Sequence, residues 1–205
     1  MSGVASTPGS ALRYRPTLEA ISRLIEEQQT PTRCCIVGIS GFGGSGKTTL
    51  AASLGGRVSF PVLGADEFST AAALERSSDW REIERERLVH EVIAPTRRGA
   101  TELTYRSCRD WEHFSSEPVT LSVERGLIIE GVGLFHPSLA DAFDLALWLD
   151  VDLELATARG IVRDAAAPPG SPAEAQWREV WMANEIDFLA RFDPIGRADF
   201  VISPA

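Results

Sequence analysis

The stretch CIVGISGFGGSGKTTLA, from Cys35 to Ala51, constrains this chain more than any other. A short unbroken apolar run, Cys34 to Ser40, leads into Gly41-Phe42-Gly43-Gly44-Ser45-Gly46-Lys47-Thr48, and a helical pattern, KTTLAASL, follows at once. An apolar run of this kind is the pattern of a strand buried on both faces, as in a parallel sheet. Glycines at this density let the main chain take conformations closed to other residues and let its N–H groups approach an anion. The helix that follows points its positive end at the same hollow. The spacing G-x-x-x-x-G-K-[ST] between a strand and a helix is therefore a phosphate cradle. Gly41 through Thr49 line it, Lys47 reaches the outer phosphates, and the Thr48 hydroxyl can ligate Mg²⁺. This signal specifies a nucleoside triphosphate, taken as ATP, but not the reaction.

The remaining chain alternates strands with helices. Residues 1–16 are rich in Ser, Gly, Pro and Ala and are expected to be a loose tail, leaving 17–205 as a single domain. TLEAISRLIEEQQ places Leu18, Ile21, Leu24 and Ile25 on one helical face, with Thr17 as cap. Gly55 and Gly56 are expected to stop the helix after the glycine loop. RVSFPVLGAD reads as a strand ending at Asp66, with Pro61 marking an edge or a bulge. DWREIERERLVHEVIAPTRRG reads as a helix, TELTYRSCRDW and EPVTLSVERG as two antiparallel strands, and LIIEGVGLF and DLALWLDVD as buried strands. DLELATARGIVRDAA is helical, the loop APPGSPAE follows, then a long helix, AEAQWREVWMANEIDFLARF, and a closing strand, ADFVIS. The expected fold is α/β, a mostly parallel sheet with helices on both faces, a short β-hairpin and a small helical lid at about 156–175.

Composition narrows the function. The formal net charge of −9 argues against sequence-independent nucleic-acid binding, which needs a basic face. The N-terminus lacks the apolar core of a secretory signal, and no run approaches the roughly 20 apolar residues that span a bilayer. Cys34, Cys35 and Cys108 form no metal or redox pair, which fits a reducing compartment, and the expected location is cytoplasmic. His90, His113 and His136 have no metal-ligand spacing. Trp177, Trp181, Asn184 and Phe188 follow a helical stripe and read as core or lid support.

Ligands of open parallel sheets sit at the carboxyl ends of strands near a topological switch. Asp66 and Glu130 both fall at such ends, so Lys47, Thr48, Asp66 and Glu130 can converge on one site. A carboxylate there can take a proton from a substrate hydroxyl or organise Mg²⁺. Arg159 and Arg163 lie four apart on one helix face, next to a flexible loop, as in a lid that closes on a triphosphate. In the hairpin region Tyr105, Arg106, Arg109, Asp110 and Trp111 combine aromatic faces with charges that suit a small, flat or anionic acceptor; alternation puts Tyr105, Ser107 and Arg109 on one face and Arg106, Cys108 and Asp110 on the other, and Tyr105 and Arg109 are taken to face the site.

These residues resemble the uridine kinase, phosphoribulokinase and pantothenate kinase group of phosphate-loop kinases. GISGFGGSGKTTLA, VLGADEF, the long block from LIIEGVGLF to GIVRD, and ADFVIS carry the resemblance, over roughly Cys34 to Ser203. It implies Asp66 as catalytic base and Lys47 and Thr48 on the triphosphate and Mg²⁺. Glu130 would help organise metal or substrate, and Arg159 and Arg163 would act in the lid. The acceptor site is expected at Asp66, Phe68, Tyr105, Arg109 and Glu130; Tyr105 aligns with a family tyrosine, whereas Arg106, Arg109, Asp110 and Trp111 do not follow the uridine kinase pattern. The sequence departs from uridine kinases where the aspartate is usually followed by a Phe-Tyr pair: here DEFS keeps Phe68 and has no tyrosine. The expected activity is an ATP- and Mg²⁺-dependent transfer to a small-molecule hydroxyl, uridine kinase-like. A kinase for a sugar phosphate or pantothenate-like acceptor, and a regulatory nucleotide-binding protein without acceptor, stay open beside it. A homo-oligomer is possible, though no seam in the sequence marks one.

Overall fold

The computed structural model describes residues 12–14, 16–30, 33–110, 115–166 and 174–203. Strand β1, Leu12–Tyr14, precedes helix α1, Leu18–Gln28, whose N-terminus is capped by the Thr17 hydroxyl accepting from Ala20 N–H. The apolar run forms β2, Cys35–Gly41, buried along its whole length. Helix α2, Lys47–Val58, follows the glycine loop. Strand β3 is short, Val62–Gly64, and a 3₁₀ turn, Ala65–Phe68, carries Asp66 just past its end. Helix α3, Arg85–Leu88, passes through a π turn, Val89–Ile93, into α4, Ala94–Arg97. The wide turn lies just before Pro95, which has no N–H and whose ring would crowd the carbonyl four residues back in a regular α-helix.

Strands β4, Glu102–Asp110, and β5, Ser115–Ser122, form the antiparallel hairpin. Strands β6, Gly126–Glu130, and β7, Leu145–Leu149, are fully buried. Helix α5, Leu153–Ala165, is capped by Asp152, and a π-helical stretch, Gln176–Trp181, leads into α6, Met182–Phe192. Strand β8, Phe200–Ile202, closes the described chain.

Among the described residues, six strands pair in the order β1-β8-β7-β2-β6-β3, every pair parallel, and the hairpin is a separate sheet. The chain winds from β2 out to β3, back to β6, then crosses to β7 on the other side of β2. The order therefore switches around β2, and the crevice this creates opens at the carboxyl ends of β2, β3, β6 and β7. Ile39 and Gly64 are both level with Glu130 in the register, which brings the ends of three strands to one height. No helix among the described residues is long and apolar enough to cross a membrane.

Four local expectations change. The glycines Gly55 and Gly56 do not stop α2, which ends at Ser59 in a left-handed conformation (φ 58°). Gly55 serves close packing instead: a Cβ there would lie 2.8 Å from Phe60 O and 2.9 Å from Val62. The strand expected from Arg57 to Asp66 shrinks to its last part, at the sheet edge where Pro61 is tolerated. The tail expected through residue 16 includes β1, which adds to β8 in parallel; a three-residue strand is too short to leave a periodic signal. The helix expected from Asp79 begins at Arg85, because Trp80 has φ 52° and the segment around it pairs with the turn after β3, Thr70 N–H to Glu82 O at 3.0 Å and Glu84 N–H to Phe68 O at 3.0 Å. Residues 1–11 of the tail, Trp111, His113 and most of the lid loop (167–173) lie outside the described residues.

Candidate active site

The glycine loop joins β2 to α2. Gly44 (φ 79°) and Gly46 (φ 100°) take left-handed conformations that other residues rarely adopt. A Cβ on Gly44 would overlap the carbonyl oxygen of Ala156, so the loop lies directly against α5. No side chain caps α2, whose N-cap is Gly46, and its first-turn N–H groups face the hollow of the loop. Ser45 Oγ is buried with no hydrogen-bond partner among the described residues. An open helix N-terminus, an unpartnered hydroxyl and a buried lysine make a cradle suited to phosphate oxygens.

Lys47 is buried, and its ammonium donates to Phe42 O at 2.8 Å. Burial pulls its pKa below the ordinary lysine value, while Glu130, Glu185 and Asp66 oppose that and Arg163 adds to it. Thr48 Oγ1 donates to Glu130 Oε1 at 2.8 Å. Burial pushes the Glu130 carboxyl above its usual range, against the pull of Lys47 and Thr48. Asp66 is exposed at the mouth of the crevice, yet enclosure by surrounding protein is the largest influence on its carboxyl and raises its pKa. Glu67 raises it further and Lys47 lowers it. The carboxylates of Asp66 and Glu130 converge at Gly64, where a Cβ would overlap Asp66 Oδ1 and lie 3.9 Å from Glu130 Oε1. Four of the sequence candidates, Lys47, Thr48, Asp66 and Glu130, thus meet at one place. Among the described residues no group of three His, Cys, Asp or Glu side chains could hold a metal alone. The oxygens of Thr48 and Glu130 fit a Mg²⁺ that completes its shell with phosphate and water.

The two arginines separate. Arg163 is under the influence of the site: its hydrogen bond to Asp164 raises its pKa most, and Asp66 and Glu130 add to that. Its guanidinium lies 5.7 Å from the Trp177 ring centroid and donates to Asp164 at 2.6 Å. Arg159 is exposed, with no ion pair or hydrogen bond among the described residues.

Phe68 and Tyr105 are buried and stack on each other, centroids 5.5 Å apart and planes 19° apart. Arg87 lies over Phe68 at 5.0 Å, and Tyr105 Oη donates to Glu67 at 3.0 Å. This stack joins the hairpin to the turn that carries Asp66; neither ring faces open space. The alternation expected for the hairpin holds from Leu103 to Ser107, with Leu103, Tyr105 and Ser107 buried and Thr104 and Arg106 exposed, but Cys108, expected on the Arg106 face, is buried as well, next to the irregular pairing after it. Arg109 lies on β4, and its side chain falls outside the described residues.

One participant has no counterpart among the sequence candidates. Glu185 on α6 is buried and accepts from the Gly43 N–H at 2.8 Å, inside the glycine loop. Its signal was in the sequence: it continues the Trp177–Trp181 stripe by four residues, and a glutamate on an apolar helix face is a buried charge that needs a partner.

No family model matches the chain, and no curated protein matches it. Solved structures do. A possible uridine kinase from Bacillus stearothermophilus superposes with TM-score 0.67 at 21% identity, covering 90% of this chain and 96% of that one. The chain has the phosphate-loop kinase fold. A protein from Silicibacter sp. TM1040, assigned as a fructose transport system kinase, gives TM-score 0.67 at 22% identity, with 91% and 98% covered. A D-glycerate 3-kinase from Cryptococcus neoformans var. grubii gives 0.62 at 12% identity, with 91% and 95% covered. The likeness in fold therefore extends over about nine-tenths of the chain.

Proposed function

We propose that this chain is an ATP- and Mg²⁺-dependent kinase that transfers the γ-phosphoryl group to a hydroxyl of a small molecule. The observation that carries this reading is the convergence of Asp66 and Glu130 beside the glycine loop, with Asp66 open to the crevice. A nucleotide switch has no need of a solvent-facing carboxylate beyond the phosphates, whereas a kinase needs a base there. The acceptor oxygen would attack the γ-phosphorus in line as its proton passes to Asp66, and the bond to the β,γ-bridging oxygen breaks. The raised pKa of Asp66 makes it a better base than an ordinary carboxylate. Lys47 would leave Phe42 O for the phosphates, Thr48 and Glu130 would hold Mg²⁺, and Arg163 would exchange Asp164 for the transferred group. Bound Mg²⁺ would neutralise charge on the phosphate oxygens. Arg159, exposed on the same helix as Arg163, would join only on closure of the lid.

A non-nucleoside acceptor is favoured by one specific feature. Phe68 and Tyr105, the rings that could flank a flat base, are stacked on each other in the core. A sugar phosphate or a small hydroxy acid needs hydrogen bonds rather than a stacking face. The deciding experiment is ADP release measured against a panel of nucleosides, sugar phosphates, pantothenate-like compounds and hydroxy acids. Stimulation by a non-nucleoside hydroxyl compound is expected. Slow hydrolysis that no acceptor stimulates would overturn the kinase reading.

A further inference from the structure

Gly43 is gripped by one helical stretch at two points. Its N–H donates to Glu185 Oε1 at 2.8 Å, and a Cβ on it would stand 3.0 Å from the Trp177 ring and 3.9 Å from the same carboxylate oxygen. Trp177 also fills the space above Gly160 of α5 and donates its indole N–H to Asp164 at 2.9 Å. The helix that follows the lid loop thus holds the glycine loop and the lid helix together. Such an arrangement sets the loop before a phosphate arrives, which lowers the reorganisation that binding requires.

Glu185 is 4% exposed and Glu82 is 2% exposed. Among the described residues neither oxygen of Glu82 has a hydrogen-bond partner, and the neighbouring Trp80 indole N–H makes no well-formed hydrogen bond either. Trp80 holds a left-handed backbone (φ 52°), an unfavourable state for a large aromatic residue. The segment that carries Trp80 and Glu82 is fastened to α6 through Asn184, which accepts from Ser77 N–H at 2.8 Å and donates to Glu75 O at 3.3 Å. The segment that carries buried Glu82 is therefore tied to the helix that carries buried Glu185.

We propose that Glu185 is a positioning residue of the phosphate loop, clamping it through the Gly43 amide. The charged groups that act on Glu185 are Lys47 from α2 and Glu82, and those that act on Glu82 are Arg85, Asp79 and Arg81. Lys47 is in turn faced by Glu130, Asp66 and Arg163. Burial is the largest influence on both carboxyls and pushes each up to about 7. Below that value Glu185 keeps a carbonyl oxygen on Gly43 without a negative charge under the phosphates. Above it the clamp remains, and the added charge opposes a triphosphate. The effect on nucleotide affinity rests on the kinase reading; the clamp itself does not.

The test follows the Gly43 amide by ¹H–¹⁵N NMR in the nucleotide-free full chain, across the pH range on both sides of about 7. The amide is expected to titrate in the native chain and to stay bonded but flat with pH in Glu185→Gln. Calorimetry with ATP and Mg²⁺ then reads the consequence. Glu185→Ala is expected to weaken binding by about tenfold, a hydrogen bond's worth. Glu185→Gln should restore most of it and remove the loss of affinity above pH 7. A Gly43 titration that persists unchanged in Glu185→Gln would overturn the proposal, as would equal affinities in all three proteins. If the native chain binds no triphosphate, the kinase reading fails while the amide titration still decides the clamp.

Discussion

Asp66 and Lys47 have different neighbours and should fail in different ways. Asp66 lies open to the crevice, whereas Lys47 is buried within the glycine loop. Asp66→Asn should keep ATP affinity and lose transfer by about 100-fold or more, the scale of general-base catalysis. Lys47→Ala should lose triphosphate binding itself. Calorimetry paired with a coupled ADP assay separates the two outcomes. Glu82 makes a stability prediction. Its carboxyl is pushed from 4.5 to about 7 by burial, so the folded chain keeps a proton that the unfolded chain releases. Stability should then fall as pH rises from 4.5 to about 7 and level off above that. The full displacement corresponds to about 3 kcal/mol. Glu82→Gln should therefore be more stable than the native chain at alkaline pH, by roughly 2–3 kcal/mol, and about equal at acid pH. Urea unfolding at the two pH extremes checks this, and equal pH dependence in both proteins would remove Glu82 as the source.

Between elements, the contact that matters most is the one between the glycine loop and α5. Gly44 is left-handed and has the Ala156 carbonyl where its Cβ would be, so Gly44→Ala meets strain in the backbone and a clash with the next layer together. It should destabilise the chain by about 1–3 kcal/mol and abolish ATP binding, since the loop or α5 must move. Thermal unfolding and calorimetry on the same preparation test both halves of that statement. Gly56, by contrast, has open space around its Cβ position, and alanine there should be tolerated or mildly stabilising. The same physics explains the misread end of α2. A glycine pair suggests a stop, but Gly55 is required by the approach of Phe60 and Val62, and that is visible only once the helix is packed.

At the scale of the whole molecule, β2, β6 and β7 form a buried parallel centre, and the β4–β5 hairpin is a separate sheet beside it. Amide hydrogen exchange should be slowest in β2, β6 and β7 and faster in the hairpin, which can open without breaking the central ladders. Equal protection throughout would mean that the hairpin and sheet unfold as one unit. The parallel α/β architecture, the phosphate loop and the carboxylates Asp66 and Glu130 were all legible in the chain. Each rests on a local pattern, an apolar run, a fixed glycine spacing or a carboxylate placed at a strand end, that survives without knowledge of neighbours. The stacking of Phe68 on Tyr105, the separation of Arg163 from Arg159 and the grip of Glu185 on Gly43 were decided by tertiary structure alone. They depend on contacts between segments as far apart as residues 43 and 185, and no periodicity within one segment encodes which side chain another segment will bring to it.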